Sequence, residues 1–127
     1  MEKRIINTST APAPIGPYNQ AVHAGNFLFI SGQIAIDPST GDLRIDDLET
    51  EANQVMNNLR AILHEAQMDF NNVVKTTIFL SDMSLFAQVN EIYGKYFSSD
   101  YPARETVAVK GLPKGVNVEI SVIAYRG

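Results

Sequence analysis

The chain has 127 residues, of which 45% are hydrophobic, with 10 basic and 14 acidic side chains and no cysteine. This length fits one globular domain, residues 1–127, and the lack of cysteine excludes a disulfide framework, a thiolate zinc site and a cysteine nucleophile. Because binding to nucleic acid usually requires a positive surface, the formal net charge of −4 and the absence of a run of basic residues lead us to expect no nucleic-acid partner.

The amino-terminal segment, residues 1–7, has two basic residues but no apolar stretch of a secretory leader behind them. No run in the sequence approaches the roughly 20 apolar residues of a membrane span. We therefore expect a cytoplasmic protein with no membrane partner. Residues 8–18 follow, and their three prolines and one glycine predict a stiff, extended loop. Such a loop is either a simple connector or a means of holding the ring of Tyr18 at the mouth of a pocket.

Strands are predicted where short β-branched and aromatic runs end in turn residues. Residues 21–24 and 27–33 are expected to form a hairpin, because Gly25 and Asn26 between them suit a two-residue turn. Further strands are predicted at residues 73–80, 106–109 and 116–125.

Two helices are predicted from apolar residues spaced three and four apart. The first spans residues 48–67 and begins after Asp46 or Asp47, whose carboxylates suit the N-cap position. The second spans residues 84–97, with Asp82 or Ser84 as its cap. The apolar stripes consist of Ala52, Val55, Met56, Leu59, Ile62, Leu63 and Ala66 in the first helix, and of Phe86, Val89, Tyr93, Tyr96 and Phe97 in the second.

The alternation of strands and helices predicts the α+β class, with one mixed sheet and both helices packed on one of its faces. Apolar side chains nevertheless fall on both faces of the strands. Phe27 and Phe29 alternate with Leu28 and Ile30, and the two helices cover only one side. Because an apolar sheet face left in water usually marks an interface, we predict an obligate homo-oligomer that assembles through the open face.

Six separated segments of the chain match one protein family. They are residues 15–18 (IGPY), 30–34 (ISGQI), 74–80 (VKTTIFL), 89–93 (VNEIY), 101–104 (YPAR) and 112–120 (LPKGVNVEI). In this order and spacing they resemble the RidA/YjgF family over essentially the whole chain. The resemblance implies a chorismate-mutase-like fold and a homotrimer with three clefts between subunits, which agrees with an open apolar face.

The resemblance also implies an enzyme, a 2-iminobutanoate/2-iminopropanoate deaminase. Such enzymes hydrolyse the reactive enamine and imine products of pyridoxal-phosphate dehydratases, among them 2-aminoacrylate, to 2-keto acids and ammonia. The deaminase members carry the arginine that matches Arg104. We expect no cofactor, because the iminium carbon is already electrophilic, and no metal, because His23 and His64 lack partners at ligand spacing. The expected partners are small 2-imino and 2-keto acids and further copies of the chain.

Arg104 is the candidate anchor for the substrate carboxylate. A guanidinium meets a carboxylate with two parallel charge-assisted hydrogen bonds, which a lysine cannot copy. The alternative is a surface arginine paired with Glu105 or another acid. Glu105 stands where the family often has a small hydroxyl residue, and strand alternation predicts that it points away from the side of Arg104.

Glu119 is the candidate for handling water and protons, because a carboxylate among apolar strand residues needs a partner or a cleft. Partial burial would raise its pKa toward the working pH. The alternative is an interface salt bridge across the trimer. In the family, the matching glutamate holds the attacking water together with the backbone carbonyl of the residue that matches Gly32.

Five residues are candidates for substrate binding beside Arg104. Gly32 lets the backbone approach the ligand closely, and Ser31 either bonds the substrate or only ends a strand. Tyr18 closes the pocket or packs against a neighbour. Asn90 reaches the site across a subunit boundary or is a solvated helix residue. Thr106 stands where the family often has cysteine; there the backbone amide is thought to hold the carboxylate, so threonine should be tolerated.

Two other functions remain open. A non-catalytic trimer that senses a small carboxylate such as 2-ketobutyrate would use Arg104 and the same cleft, and it differs from the enzyme only through Glu119. An RNA-directed role, such as inhibition of translation, is attributed to some members of the family. The acidic composition argues against that role, which would show itself as salt-dependent RNA binding.

Overall fold

Six strands and two helices make up the fold in the computed structural model, which describes residues 2–127. The strands are β1 (Lys3–Ile6), β2 (Ala21–Ala24), β3 (Phe27–Gln33), β4 (Val73–Leu80), β5 (Ala103–Ala108) and β6 (Val118–Tyr125), and the helices are α1 (Leu48–Glu65) and α2 (Phe86–Gly94). The strands form one sheet in the order β1-β2-β3-β6-β4-β5. Strands β4 and β5 pair in parallel, and the other neighbours pair antiparallel. The predicted α+β class and the mixed sheet are confirmed.

Helix α1 forms where its apolar stripe and its cap predict. Asp47 is the N-cap, and its carboxylate accepts a hydrogen bond of 2.7 Å from the backbone N–H of Thr50. All seven residues of the predicted stripe are buried, so the period of 3.6 residues translates directly into one face packed on the sheet. Neither helix of the described chain is long and apolar enough to cross a membrane.

Several boundaries differ from the sequence prediction. Strand β1 was not predicted, β5 begins three residues before its predicted start, and β6 begins two residues after it. Helix α2 is shorter at both ends, because a 3-10 turn at Met83–Leu85 precedes it and Asp82 caps that turn instead. A second 3-10 turn at Pro113–Gly115, with Lys114 at a φ of 56°, delays the start of β6.

The two faces of the sheet differ as the alternation of side chains predicts. On β6, Val118, Ile120, Val122 and Ala124 are buried in the core that includes both helices. The opposite face is open and apolar: Phe27, Phe29 and Tyr125 are 43%, 45% and 41% exposed, and the rings of Phe27 and Tyr125 lie 4.9 Å apart between centroids. The predicted open apolar face is therefore present on the single chain. The homotrimer and the chorismate-mutase-like relationship stay predictions.

A buried carboxylate on α1 holds the start of β6. Glu51 is fully buried, and its Oε2 accepts hydrogen bonds from the backbone N–H groups of Asn117 (2.7 Å) and Val118 (3.1 Å). Its Oε1 accepts one of 2.9 Å from the side-chain amide of Asn117. Because these donors leave water on folding, the carboxylate is what satisfies them. Glu51 thus fixes the strand that carries Glu119.

We expect Glu51→Met to lower the free energy of unfolding by about 3 kcal/mol, because three buried or half-buried donors lose their acceptor at roughly 1 kcal/mol each. Urea denaturation followed by circular dichroism measures the change. Glu65→Met, at an exposed position of the same helix, is the matched control and should change the stability little. Equal losses in the two variants would contradict the clamping role.

Candidate active site

A first cleft, of about 430 Å³, opens beside the middle of the sheet. The proline-rich loop before β2, the end of β3, and the segment that leads into β6 enclose it. Four of the predicted site residues line this cleft together: Tyr18, Ser31, Gly32 and Glu119. The structure therefore brings these four residues, from separated segments of the chain, to one cleft.

A β-bulge shapes the floor of the first cleft. Ile30 pairs with Val122 and Gln33 pairs with Ile120, so Ser31 and Gly32 together oppose a single residue of β6. A bulge bends the strand and redirects the side chains and carbonyls around it. The Oγ of Ser31 donates a hydrogen bond of 2.6 Å to the backbone carbonyl of Asn19, which leaves that oxygen free only as an acceptor.

The carboxylate of Glu119 lies directly against Gly32. A Cβ placed on Gly32 would be 2.7 Å from Oε2 and 2.9 Å from Cδ of Glu119, so no side chain fits there without moving the carboxylate. Glu119 is half-buried on β6, and this burial raises the pKa of its carboxyl above the usual value. The described residues offer it no salt-bridge partner within the chain.

Gly32→Ala is expected to keep the fold and to lower kcat for the expected imine hydrolysis about tenfold to a hundredfold. The reason is that the new methyl group displaces the carboxylate of Glu119 by about an ångström or more. The carboxylate is the end of a flexible side chain, so it moves aside at little cost to stability. Gly111→Ala is the control, since a Cβ there has no neighbour within 4 Å. Unchanged turnover in Gly32→Ala would contradict a working contact between Gly32 and Glu119.

Tyr18 stands at the rim of the first cleft. It is 47% exposed, and a turn fixes its backbone, with its N–H donating to the carbonyl of Gly16 at 2.8 Å. Its hydroxyl accepts a long contact of 3.4 Å from the N–H of Ile15. The ring is therefore presented at the mouth of the cleft by the stiff loop and is not packed into the core.

A second cleft, of about 590 Å³, lies between α2 and β5. It is lined by Arg104 and Asn90 together with Tyr93 and Tyr101. The guanidinium carbon of Arg104 lies 5.2 Å from the ring centroid of Tyr93 and 5.7 Å from that of Phe86, which are cation–π distances. Two aromatic rings thus orient the cation, and Asn90 is exposed on the helix beside it.

Arg104 is not engaged by the acid next to it. Glu105 points to the opposite face of β5, as predicted, and forms a salt bridge of 3.1 Å with Lys75 on β4. Across residues 2–127, no carboxylate lies within salt-bridge distance of Arg104. The alternative of a surface pair with Glu105 is therefore wrong, and the donors of the guanidinium are available to a ligand.

Thr106 follows two residues after Arg104 on the same face of β5. Its Oγ1 is buried, and the described part of the chain gives it no hydrogen-bond partner. A buried hydroxyl without a hydrogen-bond partner is uncommon, and its partner is expected to come from a ligand, a water molecule or another chain. Arg104, two residues before it, lines the second cleft, whereas Thr106 does not belong to that lining.

The two clefts lie on opposite faces of the sheet. Arg104 is in register with Thr76, which is fully buried and accepts a hydrogen bond from the hydroxyl of Tyr93 on α2. Glu119 is in register with Phe79, three residues along β4 and hence on the other face. One chain therefore cannot bring the guanidinium of Arg104 and the carboxylate of Glu119 to the same small molecule.

Sequence reasoning missed some of the residues that line the clefts. Phe86 was predicted in the buried stripe of α2 but is 36% exposed, with its ring beside Arg104. Gln20 and Pro113 were not singled out, yet both line the first cleft. Of these, only Gln20 carried a signal in the sequence, because a polar residue directly before an apolar strand is a candidate for a buried hydrogen-bonding role. No group of three or more His, Cys, Asp or Glu side chains within residues 2–127 is placed to hold a metal ion.

The chain is similar over nearly its whole length to a family model, to curated relatives and to solved structures. The family model described as Endoribonuclease L-PSP matches residues 8–126. A RutC family protein of Pyrococcus horikoshii is 51% identical over 124 residues, covering 98% of each chain. A mouse protein named 2-iminobutanoate/2-iminopropanoate deaminase is 50% identical over 125 residues, covering 98% of this chain and 93% of its own. The crystal structure of E. coli TdcF with bound serine superposes with a TM-score of 0.93 at 39% identity, covering 98% and 99% of the two chains.

Proposed function

The chain belongs to the endoribonuclease L-PSP family, which is the YjgF/RidA family, and on that basis we propose that it hydrolyses 2-imino acids to 2-keto acids and ammonia. The substrates are 2-iminopropanoate, with its enamine tautomer 2-aminoacrylate, and 2-iminobutanoate. Four mammalian relatives at 46–50% identity carry the name of this activity. The observation that carries the proposal is that the chain has both a carboxylate held against a backbone bulge and an arginine without an acidic partner among residues 2–127.

Arg104 binds the carboxylate of the substrate. The rings of Tyr93 and Phe86 beside the guanidinium restrict its orientation at the wall of the second cleft. A bidentate pair with a carboxylate contributes about 1.5–3 kcal/mol for each charge-assisted hydrogen bond. The buried hydroxyl of Thr106, which has no hydrogen-bond partner within residues 2–127, supplies a further donor on the same face of β5, and the family resemblance gives the backbone amide of Thr106 the same task.

Glu119 acts on the water. Held beside Gly32 with a raised pKa, the carboxylate takes a proton from the water as its oxygen bonds to the iminium carbon and the C=N π electrons move to nitrogen. The carboxyl then returns this proton to the amine. The C–N bond breaks with its electron pair leaving on nitrogen, and the hydroxyl oxygen forms the carbonyl as it gives its proton to the carboxylate. The carboxyl then passes this proton to the departing ammonia, which leaves as ammonium, so that Glu119 is ionised again. No redox partner is needed.

The complete site forms between two copies of the chain. Because Arg104 and Glu119 lie on opposite faces of one sheet, the first cleft of one subunit has to meet the second cleft of its neighbour. A head-to-tail contact closes into a ring where the rotation between subunits allows it, and the three copies that the family resemblance implies give a homotrimer with three sites. The open apolar face with Phe27, Phe29 and Tyr125 supplies surface to bury in such an assembly.

A non-catalytic role as a sensor of small carboxylates is the second candidate. It is favoured by a specific observation, namely that a family member of 39% identity has been crystallised with serine bound. The sensor would use Arg104 for the ligand carboxylate and would leave Glu119 without a chemical task. The two candidates therefore differ in turnover and not in binding.

A trapping assay separates the two candidates. A pyridoxal-phosphate serine or threonine dehydratase releases the imine, semicarbazide traps it, and the rate at which the trapped product appears is followed. We expect the protein to divert the imine from the trap and to speed keto acid formation, whereas heat-denatured protein does neither. Binding of 2-ketobutyrate without any effect on trapping would overturn the deaminase and favour the sensor.

A further inference from the structure

We propose that Gln20 is a positioning residue that fixes the proline-rich wall of the first cleft to its floor. The inference rests on the proposed function, because it assigns Gln20 a part in shaping the site that handles the water. Gln20 is 2% exposed and follows Asn19 at the end of the loop, so its side chain points under residues 8–12 and not into solvent.

The side chain of Gln20 forms hydrogen bonds with the backbone of residues 8–12, whose own backbone groups do not pair with one another. Its Oε1 accepts a hydrogen bond of 2.6 Å from the N–H of Thr8. Its Nε2 lies within hydrogen-bond distance of three carbonyl oxygens, those of Thr8 (3.0 Å), Ala11 (3.2 Å) and Pro12 (2.8 Å). Prolines have no N–H and prevent regular pairing of this segment. The primary amide of Gln20 carries both donors and an acceptor, and it takes the place of the backbone hydrogen bonds that regular strand pairing would form.

The backbone around Gln20 holds the other side of the cleft. The carbonyl of Gln20 accepts a hydrogen bond of 2.9 Å from the N–H of Ser31, and the carbonyl of Asn19 accepts one of 2.6 Å from the Oγ of Ser31. Ser31 belongs to the bulge on which the carboxylate of Glu119 rests. One residue therefore ties the wall that ends in Tyr18 to the floor that carries the catalytic carboxylate.

Gln20 therefore affects the binding of the substrate and not the chemical step. Without the amide of Gln20, the loop from Thr8 to Tyr18 is free to move away from the cleft, while the contact between Gly32 and Glu119 is untouched. The substrate then has to order the wall when it binds, and that ordering weakens binding. The proton transfers of Glu119 proceed as before once the substrate is in place.

Gln20→Met tests this role, because methionine keeps the volume and removes all four hydrogen bonds. We expect KM for the imine to rise about tenfold, from the cost of ordering loop side chains on binding, with kcat changed less than about threefold. Gln20→Glu should be worse than Gln20→Met at neutral pH, because a carboxylate oxygen then faces three carbonyl oxygens. Gln88→Met, at an exposed position on α2, is the matched control.

Hydrogen exchange measured by mass spectrometry provides a readout that does not depend on activity. Peptides that cover residues 8–18 should exchange faster in Gln20→Met than in the wild type, while peptides from α1 and β4 should not. Unchanged exchange in residues 8–18 would overturn the proposal, and so would a loss of kcat with KM unchanged. If the wild type proves to have no deaminase activity, the proposed function fails alone, and the affinity for 2-ketobutyrate replaces KM, with about tenfold weaker binding expected.

Discussion

Arg104→Ala is expected to lose all but about 1% or less of kcat/KM for 2-iminopropanoate while the protein keeps its fold. Two charge-assisted hydrogen bonds to the substrate carboxylate are lost, at about 1.5–3 kcal/mol each, and every 1.4 kcal/mol is about a factor of ten. Arg104→Lys should recover only part of the loss, because a lysine keeps the charge without the planar fork. The trapping assay measures all three proteins.

The controls for Arg104 follow from its surroundings. Since its guanidinium packs on Tyr93 and Phe86, the thermal midpoint of Arg104→Ala has to be measured beside its activity. Arg44→Ala removes an exposed arginine that pairs with Asp37 and should leave turnover unchanged. If Arg104→Ala retained more than about a tenth of the wild-type kcat/KM, the interactions claimed for the anchor would be too weak to support it.

Glu119→Gln is the second large effect, with an expected fall in kcat of about 10²–10⁴-fold, the usual contribution of a general base. The base works only when it is ionised. Because burial raises the pKa of Glu119, kcat of the wild type should rise with pH through that raised pKa and level off above it. The glutamine variant keeps the shape but has no group to titrate, so this limb of the profile should disappear.

Glu105→Gln is the matched control for Glu119→Gln. It removes a carboxylate from the same face of the sheet, where Glu105 pairs with Lys75, so it separates the loss of a charge from the loss of the base. An unchanged rate in Glu119→Gln, together with a weakened assembly, would instead favour the interface salt bridge.

Much of the fold was predictable because local pattern and global packing agree. The stripe of α1, its cap at Asp46 or Asp47, and the hairpin of β2 and β3 follow from spacing and turn residues alone, and the structure selects Asp47. Strand β1 was not predictable in this way. Its four residues, Lys3–Ile6, carry no alternation of their own, and they are a strand because they pair with Ala21–Ala24. The early start of β5 has the same cause, its pairing with β4.

Candidate residues for the site could be named from the sequence, but their separation into two clefts could not be predicted. Arg104 and Glu119 follow from their chemistry and from the family resemblance, and alternation along β5 correctly placed Glu105 opposite Arg104. Which face each occupies relative to the other depends on how β4 is registered with both β5 and β6. That register is a long-range property, set by packing against the helices, and no local pattern contains it.

The bulge and the buried polar groups also depend on long-range pairing and could not be predicted from the sequence. Ser31 and Gly32 oppose one residue of β6 only because β3 and β6 are paired with a shift. Glu51 and Gln20 look like ordinary polar residues in the sequence, yet both are buried and hold backbone that frames the first cleft. Their roles depend on distant partners, Asn117 for Glu51 and Ala11 with Pro12 for Gln20.

The most direct test of a site shared between subunits is to mix two inactive variants. Arg104→Ala chains retain Glu119, and Glu119→Gln chains retain Arg104, so a mixed ring contains some sites with both groups intact. With equal amounts and random assembly, about a quarter of the sites in a closed ring are complete, and about a quarter of the wild-type activity should return. Light scattering establishes the assembly, and mass spectrometry establishes that the chains have mixed. Confirmed mixing with no return of activity, or a mass equal to the 14.0 kDa single chain, would contradict the account.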